Sequence, residues 1–498
     1  MNHPKCKPDI RYLPKRLIDV GWLGRRPPRL VMSEELEDTD IRYATLSYCW
    51  GNANFCTTKE NESSHRQELP LQLIPDTLKD AFTLTQDLHI QFLWVDALCI
   101  VQDDHTEWKI EASKMQDIYA GSSITIAATD AAASSTGCFP TAPARLDKAD
   151  VFLTITDTEH DSRAIVRVQP NDIRISAKSS VLNTRGWIFQ ELVLSHRTVH
   201  CMHSGLHWEC KSEFRTETGL VFDRSSKHES IVPALPHETQ ILTNKTWWKW
   251  IEDYSARRFT FPTDRLPALS GIVQYYQMVT KDVPILGMWE RSFHQDLLWV
   301  RISILAEKSD QTPQHLSNIP SWTWLSCPYG ISYDFWNSFN GEASPDRNVY
   351  DHVKVVEWAV VWSENPLVSE VKTSRLVLDG PIQEIVLSVS PKGLVNNPTY
   401  LDVNDEKLDF GKSNFPWRCS GQFDSGPRMC PTQYLCLLLR STENSDSMEG
   451  GNTRSIMETF LILELCLDIN LYRRVGIGNF LGEHRSFDLT VRRTVSLV

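Results

Sequence analysis

Long hydrophobic runs are scarce in this sequence of 498 residues. The longest apolar stretch, residues 460–471 (FLILELCLDINL), is short and includes Glu464 and Asp468, whereas a membrane-spanning helix needs about 20 apolar residues. The first residues (MNHPKCKPDIRYLPKR) carry charges and contain no apolar core of signal-peptide length. We therefore expect a cytoplasmic protein with no membrane span.

The sequence also lacks an excess of positive charge, because 51 Lys and Arg residues are outnumbered by 63 Asp and Glu residues, giving a net charge of −12. Such a chain has no overall electrostatic attraction to nucleic acid, so we expect no nucleic-acid partner. Hydrophobic residues make up 41% of the chain, which excludes intrinsic disorder of the whole protein.

No C-x-x-C pair occurs among the 12 cysteines, and their scatter through apolar segments favours buried free thiols over a disulfide framework. The sequence contains neither G-x-G-x-x-G nor a P-loop. One short segment is rich in possible metal ligands: His196, His200, Cys201, His203, His207 and Cys210. Their spacing fits no usual zinc pattern, so we predict no metal site and partly buried or surface histidines.

Strand-like and helix-like patterns alternate in the first part of the chain. Strands are predicted at 41–48, 91–100 and 123–128, with a helix at 76–89 and another beginning at Asp103 or Asp104. This order predicts an α/β layer built on a parallel sheet.

Further along, we predict a strand pair within 151–168, a helix starting in 184–192 and a hairpin over 198–208 that turns at Ser204 and Gly205. Apolar residues thin out between 215 and 240, which indicates a domain boundary.

The second half differs in pattern. Helices are predicted at 247–255 and 267–279, and strand-like runs fill 320–498 without clear α/β alternation. Residues 441–455 (STENSDSMEGGNTRS) are polar and predict a mobile loop. We therefore expect an α+β C-terminal region.

Three blocks, in this order and spacing, resemble the fungal heterokaryon-incompatibility (HET) domain. They are residues 43–51 (YATLSYCWG), 93–103 (LWVDALCIVQD) and 185–192 (RGWIFQEL). The segments that resemble other parts of large HET proteins are 14–20 (PKRLIDV), 208–210 (WEC), 254–258 (YSARR), 264–271 (DRLPALSG), 287–289 (GMW), 297–299 (LLW), 320–324 (PSWTW) and 472–476 (YRRVG).

The resemblance implies an N-terminal lead-in over 1–40, a HET domain over 41–215, and a C-terminal region over 240–498 that covers or regulates it. It also implies a role in fungal nonself recognition, in which incompatible cell fusion triggers growth arrest or programmed cell death. It does not by itself imply a reaction.

The third block suggests a chemistry. Arg185, Trp187 and Glu191 resemble the S-x-W-x-x-x-E block of Toll/interleukin-receptor (TIR) domains, to which HET domains are distantly similar. In TIR domains the Glu lies beside a cleft on a parallel sheet, and some members cleave NAD. The resemblance implies a TIR-like core, with NAD as substrate rather than cofactor and Glu191 as the catalytic carboxylate. The alternative is that Trp187 fills core while Glu191 pairs with Arg185 or Arg197, or caps a helix.

The first two blocks supply candidate binding residues. Ser47, Tyr48 and Gly51 follow a predicted strand and can approach a ribose or phosphate at its carboxyl end. Asp96 lies inside a buried run and can recognise ribose. The alternatives are a tight turn that requires Gly51 and a hydrogen bond from Asp96 to loop backbone.

Two other functions stay open. The same blocks can build a non-enzymatic module for self-association or for binding a protein partner, with Trp and Tyr as interface anchors. A specialised-metabolism enzyme would instead need a deep apolar pocket lined by the Trp pairs 247–248 and 322–324. In the second half, Asp264 and Arg265 are predicted to form structural salt bridges.

Overall fold

The computed structural model describes most of the chain, and the described residues are 6, 12–21, 26–37, 40–51, 55–139, 151–157, 162–168, 180–217, 219, 221–223, 243–302, 318–333, 348–389, 399–403, 419–425, 428–448 and 451–498. The chain divides into two compact units. The first comprises 1–241, 257–260 and 267–272, and the second comprises 242–256, 261–266 and 273–498. Most of the boundary predicted at 215–240 lies outside the described residues.

The strands of the first unit are β1 (Arg16–Asp19), β2 (Arg29–Met32), β3 (Tyr43–Ser47), β4 (Phe92–Trp94), β5 (Ile124–Ala127), β6 (Val151–Asp157), β7 (Ser162–Val168), β8 (Arg197–Met202), β9 (Gly205–Cys210), β10 (Glu213–Thr216) and β11 (Val221–Asp223). Nine of them form one sheet in the order β11-β10-β9-β8-β5-β3-β4-β1-β2. The centre, β8-β5-β3-β4, is parallel, as the strand–helix alternation predicts.

The sheet as a whole is mixed, which corrects the expectation of a parallel sheet. The lead-in strands β1 and β2 extend one side in antiparallel pairing. On the other side, the predicted hairpin forms β8 and β9, and β10 and β11 follow in antiparallel order. Short connections allow antiparallel pairing at both ends, whereas the central strands need helical crossovers.

The helices of the first unit are α1 (Glu62–Gln67), α2 (Asp76–Asp87), α3 (Asp96–Cys99), α4 (His105–Ser113), α5 (Met115–Gly121) and α6 (Gly186–Leu194). Helix α2 forms where the apolar spacing predicts it, and its buried face includes Leu78, Ala81 and Phe82. Helix α4 starts at the predicted cap, because the Asp104 side chain accepts hydrogen bonds from the Thr106 and Glu107 amides. No helix in the described residues is both long and apolar enough to cross a membrane.

The predicted strand over 91–100 is wrong in its second half. β4 ends at Trp94, and Asp96 opens the one-turn helix α3. The Asp96 carboxylate accepts a hydrogen bond from the Ala97 amide at 2.7 Å, which favours a turn at this point. This change of direction brings Asp96 to the carboxyl end of β4 instead of placing it within the sheet.

The second unit is strand-rich. Its helices are α7 (Asn244–Ser255), α8 (Ser270–Thr280), whose first residues are counted with the first unit, and α9 (Phe293–Asp296). Its strands are β12 (Pro284–Ile285), β13 (Met288–Trp289), β14 (Val300–Arg301), β15 (Ile331–Ser332), β16 (Asn348–Asp351), β17 (Lys354–Trp362), β18 (Val371–Val389), β19 (Thr399–Val403), β20 (Cys419–Phe423), β21 (Thr432–Met448), β22 (Gly451–Cys466), β23 (Leu471–Gly482) and β24 (Arg492–Leu497). Strands β16 to β24 join in a single sheet.

One expectation for this unit is met in part and another is wrong. The unit contains α7, α8 and α9, but strands dominate it, so the α+β description fits only in part. The polar segment 441–455 is not a loop, because β21 and β22 continue through it as an antiparallel hairpin paired up to Met448 and Gly451. Ladder hydrogen bonds stabilise these strands despite their polar composition.

Tryptophans build a core in the second unit. The fully buried ones include Trp247, Trp250, Trp289, Trp299, Trp322 and Trp324. Trp247 packs edge-to-face against Trp289 at 5.0 Å between ring centroids. All four members of the predicted Trp pairs therefore contact protein: Trp247, Trp322 and Trp324 are buried, and Trp248 stacks on Tyr333 at 5.2 Å. This packing removes the support for a metabolic-enzyme pocket lined by those pairs.

Candidate functional site

The order of the central strands creates a place for a ligand in the first unit. β3 lies between β4 and β5, so the chain adds β4 on one side of β3 and then β5 and β8 on the other. Open α/β sheets bind ligands at the carboxyl ends of strands where the order reverses in this way. Ser47 is the last residue of β3 and is in register with Ala127, the last residue of β5.

Glu191 projects from α6 toward this end of β3. Glu191 is only 5% exposed to solvent. Burial and the neighbouring Asp96 carboxyl raise the pKa of Glu191 to about 7, although the hydroxyls of Ser47 and Tyr119 and the positive charge of Arg185 act in the opposite direction. Glu191 therefore changes its charge near neutral pH.

Asp96 is the second acid of the site. Its Oδ2 accepts a hydrogen bond from the Trp50 indole at 2.9 Å. Burial raises the pKa of Asp96 to about 6, and the hydrogen bonds from Ala97 and Trp50 together with the Arg185 charge moderate this rise. Two acids that both resist ionisation and lie close together are typical of sites that hold or transfer a proton.

Arg185 supplies positive charge next to the acids. It immediately precedes α6, where its guanidinium hydrogen-bonds to the Cys49 thiol. Burial raises the pKa of that thiol, and Arg185 opposes the rise. The Arg185 carbonyl accepts a hydrogen bond from Arg257 at 3.3 Å, which links the YSARR segment to the start of α6.

Tyr48 completes the cluster. Burial and the charges of Asp96 and Glu191 raise its pKa well above the ordinary value for tyrosine, while Arg185 lowers it. Of the candidate residues, Ser47, Tyr48, Asp96 and Arg185 therefore lie together with Glu191. Arg197, which the sequence offers as an alternative partner of Glu191, donates to the Ser123 carbonyl at 3.2 Å.

Gly51 and Trp187 lie next to residues that are not part of the acid cluster. Gly51 has φ +65°, and a Cβ at this position would lie 2.5 Å from the Ala133 Cβ, so the turn itself requires glycine. Trp187 is half-buried and packs edge-to-face against Trp108 at 6.0 Å. The Gly51 position thus fits the tight-turn alternative, and a binding role for Trp187 stays a prediction.

Three residues of the cluster carry no sequence-based assignment: Cys49, Trp50 and Tyr119. Tyr119 is a buried residue of α5, and its hydroxyl lies near Glu191. It also donates to the Leu46 carbonyl at 3.3 Å. The tyrosine side chain is the one signal that could have indicated a polar partner here, because buried hydroxyls need one.

The histidine-rich hairpin forms separate pairs. His200 contacts Glu209 at 3.2 Å and Thr129 at 3.0 Å. His207 contacts Ser204 at 3.0 Å, and burial lowers its pKa to about 4. In the described part of the chain, no group of three or more His, Cys, Asp or Glu side chains is placed to hold a metal ion.

Chemically, the cluster offers two carboxyl groups of raised pKa, hydroxyl donors and one cation at the carboxyl end of a parallel strand. Such a set can stabilise a developing positive charge on a sugar ring and pass a proton. It does not line an open cleft, however, because Glu191 and Ser47 are 5% and 0% exposed.

Comparison with known proteins gives one match. Residues 43–191 match the family model described as Heterokaryon incompatibility protein (HET). The matched segment begins with the first residue of β3 and ends at Glu191, so it includes all the acids and hydroxyls of the cluster. No curated protein and no solved structure matches the chain.

Proposed function

We propose that this chain is a nonself-recognition protein that triggers cell death by hydrolysing NAD, because residues 43–191 match the model of the heterokaryon incompatibility family. The family supports the cell-death role, and the buried acid cluster supports the reaction. The single observation that carries the reaction is that two acids of raised pKa, Glu191 and Asp96, lie close enough for the Asp96 carboxyl to act electrostatically on Glu191.

Hydrolysis of NAD needs few catalytic groups. The bond between ribose and the pyridinium nitrogen breaks, and its electron pair stays on that nitrogen, so nicotinamide leaves as a neutral molecule without protonation. Ionised Glu191 stabilises the positive charge that develops on the ribose. Water then adds to the anomeric carbon, and its proton passes to a carboxylate and on to solvent, giving ADP-ribose.

The other residues of the cluster have roles that follow from their positions. Ser47 and Tyr119 place their hydroxyls near the Glu191 carboxyl and favour its ionised form. Asp96, fixed by Trp50, accepts a ribose hydroxyl or the proton from water. Arg185 offsets part of the negative charge of the two acids and keeps them close.

Burial of Glu191 sets a condition on this mechanism. At 5% exposure, the carboxyl reaches a substrate only when a neighbouring element moves. Loops and helix ends commonly open before a substrate enters and close over it afterwards, which excludes water from the reaction. We therefore propose that activation of the protein opens the site.

The direct test is nicotinamide release by the purified full-length protein incubated with NAD, followed by chromatography. We expect Glu191→Gln to reduce the rate about 100-fold or more, because the variant cannot carry the stabilising charge. Glu111→Gln is a matched control, since Glu111 is also a buried glutamate of this unit and pairs with Lys114 at 3.1 Å. It should retain activity.

Expression in fungal cells, with cellular NAD measured alongside survival, extends the test. The proposal requires wild type to deplete NAD and kill cells, and Glu191→Gln to do neither. Killing by Glu191→Gln at the wild-type rate without loss of NAD would contradict the reaction and leave the family role intact.

The alternative is a non-enzymatic signalling module, and the burial of both acids favours it. In that case the half-buried Trp108–Trp187 pair is a candidate anchor for self-association or for a partner protein. Trp187→Ala should then abolish killing and weaken association measured by light scattering, whereas Glu191→Gln should leave both unchanged.

A further inference from the structure

The second unit contains a buried arginine without an acidic partner. Arg265 ends a short helical turn, Pro262–Arg265, and is 6% exposed. Its Nη1 donates to the Cys327 carbonyl, and its guanidinium lies over the Trp324 ring at 5.3 Å. Within the described residues, its Nε and Nη2 atoms are buried and have no hydrogen-bond partner. The salt bridge that the sequence predicts for Arg265 is therefore not formed with them.

Burial of the Arg265 guanidinium with two unpaired donors is energetically unfavourable. A guanidinium stays protonated in proteins, so it cannot relieve burial by losing its proton. Contact with an aromatic ring compensates only part of the lost hydration, because cation–π attraction is weaker than the cost of burying an unpaired ion. Two buried donors of Arg265 thus remain available to an acceptor.

Arg301 provides a second cation nearby. It ends β14, and its guanidinium lies over the Tyr329 ring at 4.9 Å. Its Nε is likewise buried and unpartnered within the described residues. The Asp424 carboxyl, which pairs with Arg474, and the guanidinium groups of Arg265 and Arg301 all act electrostatically on the thiol of Cys327, so the two arginines lie near one residue.

Arg474 is a buried arginine of the same unit whose role is structural, and its hydrogen bonds differ from those of Arg265 and Arg301. Its Nε donates to Asp424 at 3.0 Å, and its two Nη atoms donate to the carbonyls of Leu297 and Trp299 at 2.7 and 2.6 Å. Every nitrogen of Arg474 has an acceptor. The unmet donors of Arg265 and Arg301 are thus not a general property of arginines in this core.

We propose that Arg265 and Arg301, which both lie near Cys327, form a binding site for a small oxyanion, namely a phosphoryl or carboxylate group. Planar guanidinium groups bind both groups through paired hydrogen bonds. The site is independent of the acid cluster of the first unit and of NAD hydrolysis. Its ligand would stabilise the second unit, because a molecule that binds only the folded state shifts the unfolding equilibrium.

The test is thermal unfolding of the full-length protein, followed by tryptophan fluorescence, in sodium phosphate, sodium acetate and sodium chloride at equal ionic strength. Phosphate or acetate should raise the unfolding midpoint above that in chloride, and the more effective anion identifies the preferred group. Calorimetric titration should show that Arg265→Met weakens binding of that anion at least tenfold. Without the anion, this variant should be as stable as wild type or more stable, because it removes an unpaired buried charge.

Arg440→Met is the control, since Arg440 belongs to the same unit but already pairs with Asp351 at 2.7 Å; its response to the anion should match that of wild type. If Arg265→Met does not fold, the same titration on Arg301→Met decides. Equal midpoints for wild type in all three salts, or unchanged anion affinity in the arginine variants, would overturn the proposal.

Discussion

Glu191 shows how one side chain can link folding, pH and function. Its pKa is raised from 4.5 to about 7 in the folded protein, so between these values the folded state holds a proton that the unfolded chain has released. Stability from this group is complete below about pH 4.5 and is lost as the pH rises toward 7. Asp96 acts in the same direction over a lower range, since its pKa is raised from 3.8 to about 6.

Replacing Glu191 with Gln should therefore stabilise the protein at alkaline pH. At pH 8 we expect a gain on the order of 3 kcal/mol in the free energy of unfolding, because ionised Glu191 is disfavoured by about that amount. At pH 4.5 the gain should nearly vanish. Urea unfolding at several pH values measures it, and an equal effect at both extremes would contradict the raised pKa.

At the scale of single residues, the sequence could indicate which residue types form the site but not whether they are buried or protonated. The resemblance of the third block singled out Glu191, and the apolar run around Asp96 predicted an acid with a constrained environment. Neither pattern could predict the burial of both acids, because that depends on Tyr48 and Tyr119 arriving from two other segments. The contribution of Tyr119 in particular arises only when α5 packs beneath β3.

At the scale of elements, the turn after β3 depends on Gly51. Gly51→Ala should destabilise the protein by about 1–3 kcal/mol, because alanine disfavours a positive φ and its Cβ would also meet the Ala133 Cβ at 2.5 Å. Gly219→Ala is a matched control: Gly219 has φ +88° with no atom within 4 Å of the added Cβ. Urea denaturation should show a larger loss for Gly51→Ala, and equal losses would mean that the Ala133 contact relaxes without cost.

Elements with clear periodicity could be predicted, and those decided by a single polar residue could not. Helix α2 follows from the spacing of Leu78, Ala81 and Phe82. The apolar run over 91–100 gives no sign that the strand ends at Trp94, since strands and short buried helices share this composition. The decisive feature is the Asp96 side chain, which hydrogen-bonds to the Ala97 amide and favours the turn.

At the scale of the whole molecule, the order of the strands in the sheet decides whether the acids and hydroxyls of the cluster come together. Ser47 and Glu191 are 144 positions apart in the sequence, and they meet because β4 and β5 are added on opposite sides of β3. Sequence alternation predicts parallel strands but not this order. The β8–β9 hairpin is predicted, but the antiparallel pairing of β1, β2, β10 and β11 is not, because pairing partners depend on packing rather than on the pattern of any one strand.

The reactivity of the thiols tests the fold of the whole chain, because all twelve cysteines are free and nine of them are buried. Burial raises the pKa of Cys327 to about 11 and that of Cys99 to about 12, and only the thiolate reacts with a disulfide reagent. In the native protein without reductant, we expect rapid reaction of exposed Cys430 and slower reaction of half-buried Cys56 and Cys466. Denaturation should then expose all twelve to the reagent. Cys430→Ser should remove the rapid phase alone, and a total below twelve in denaturant would reveal a disulfide and contradict a reduced fold.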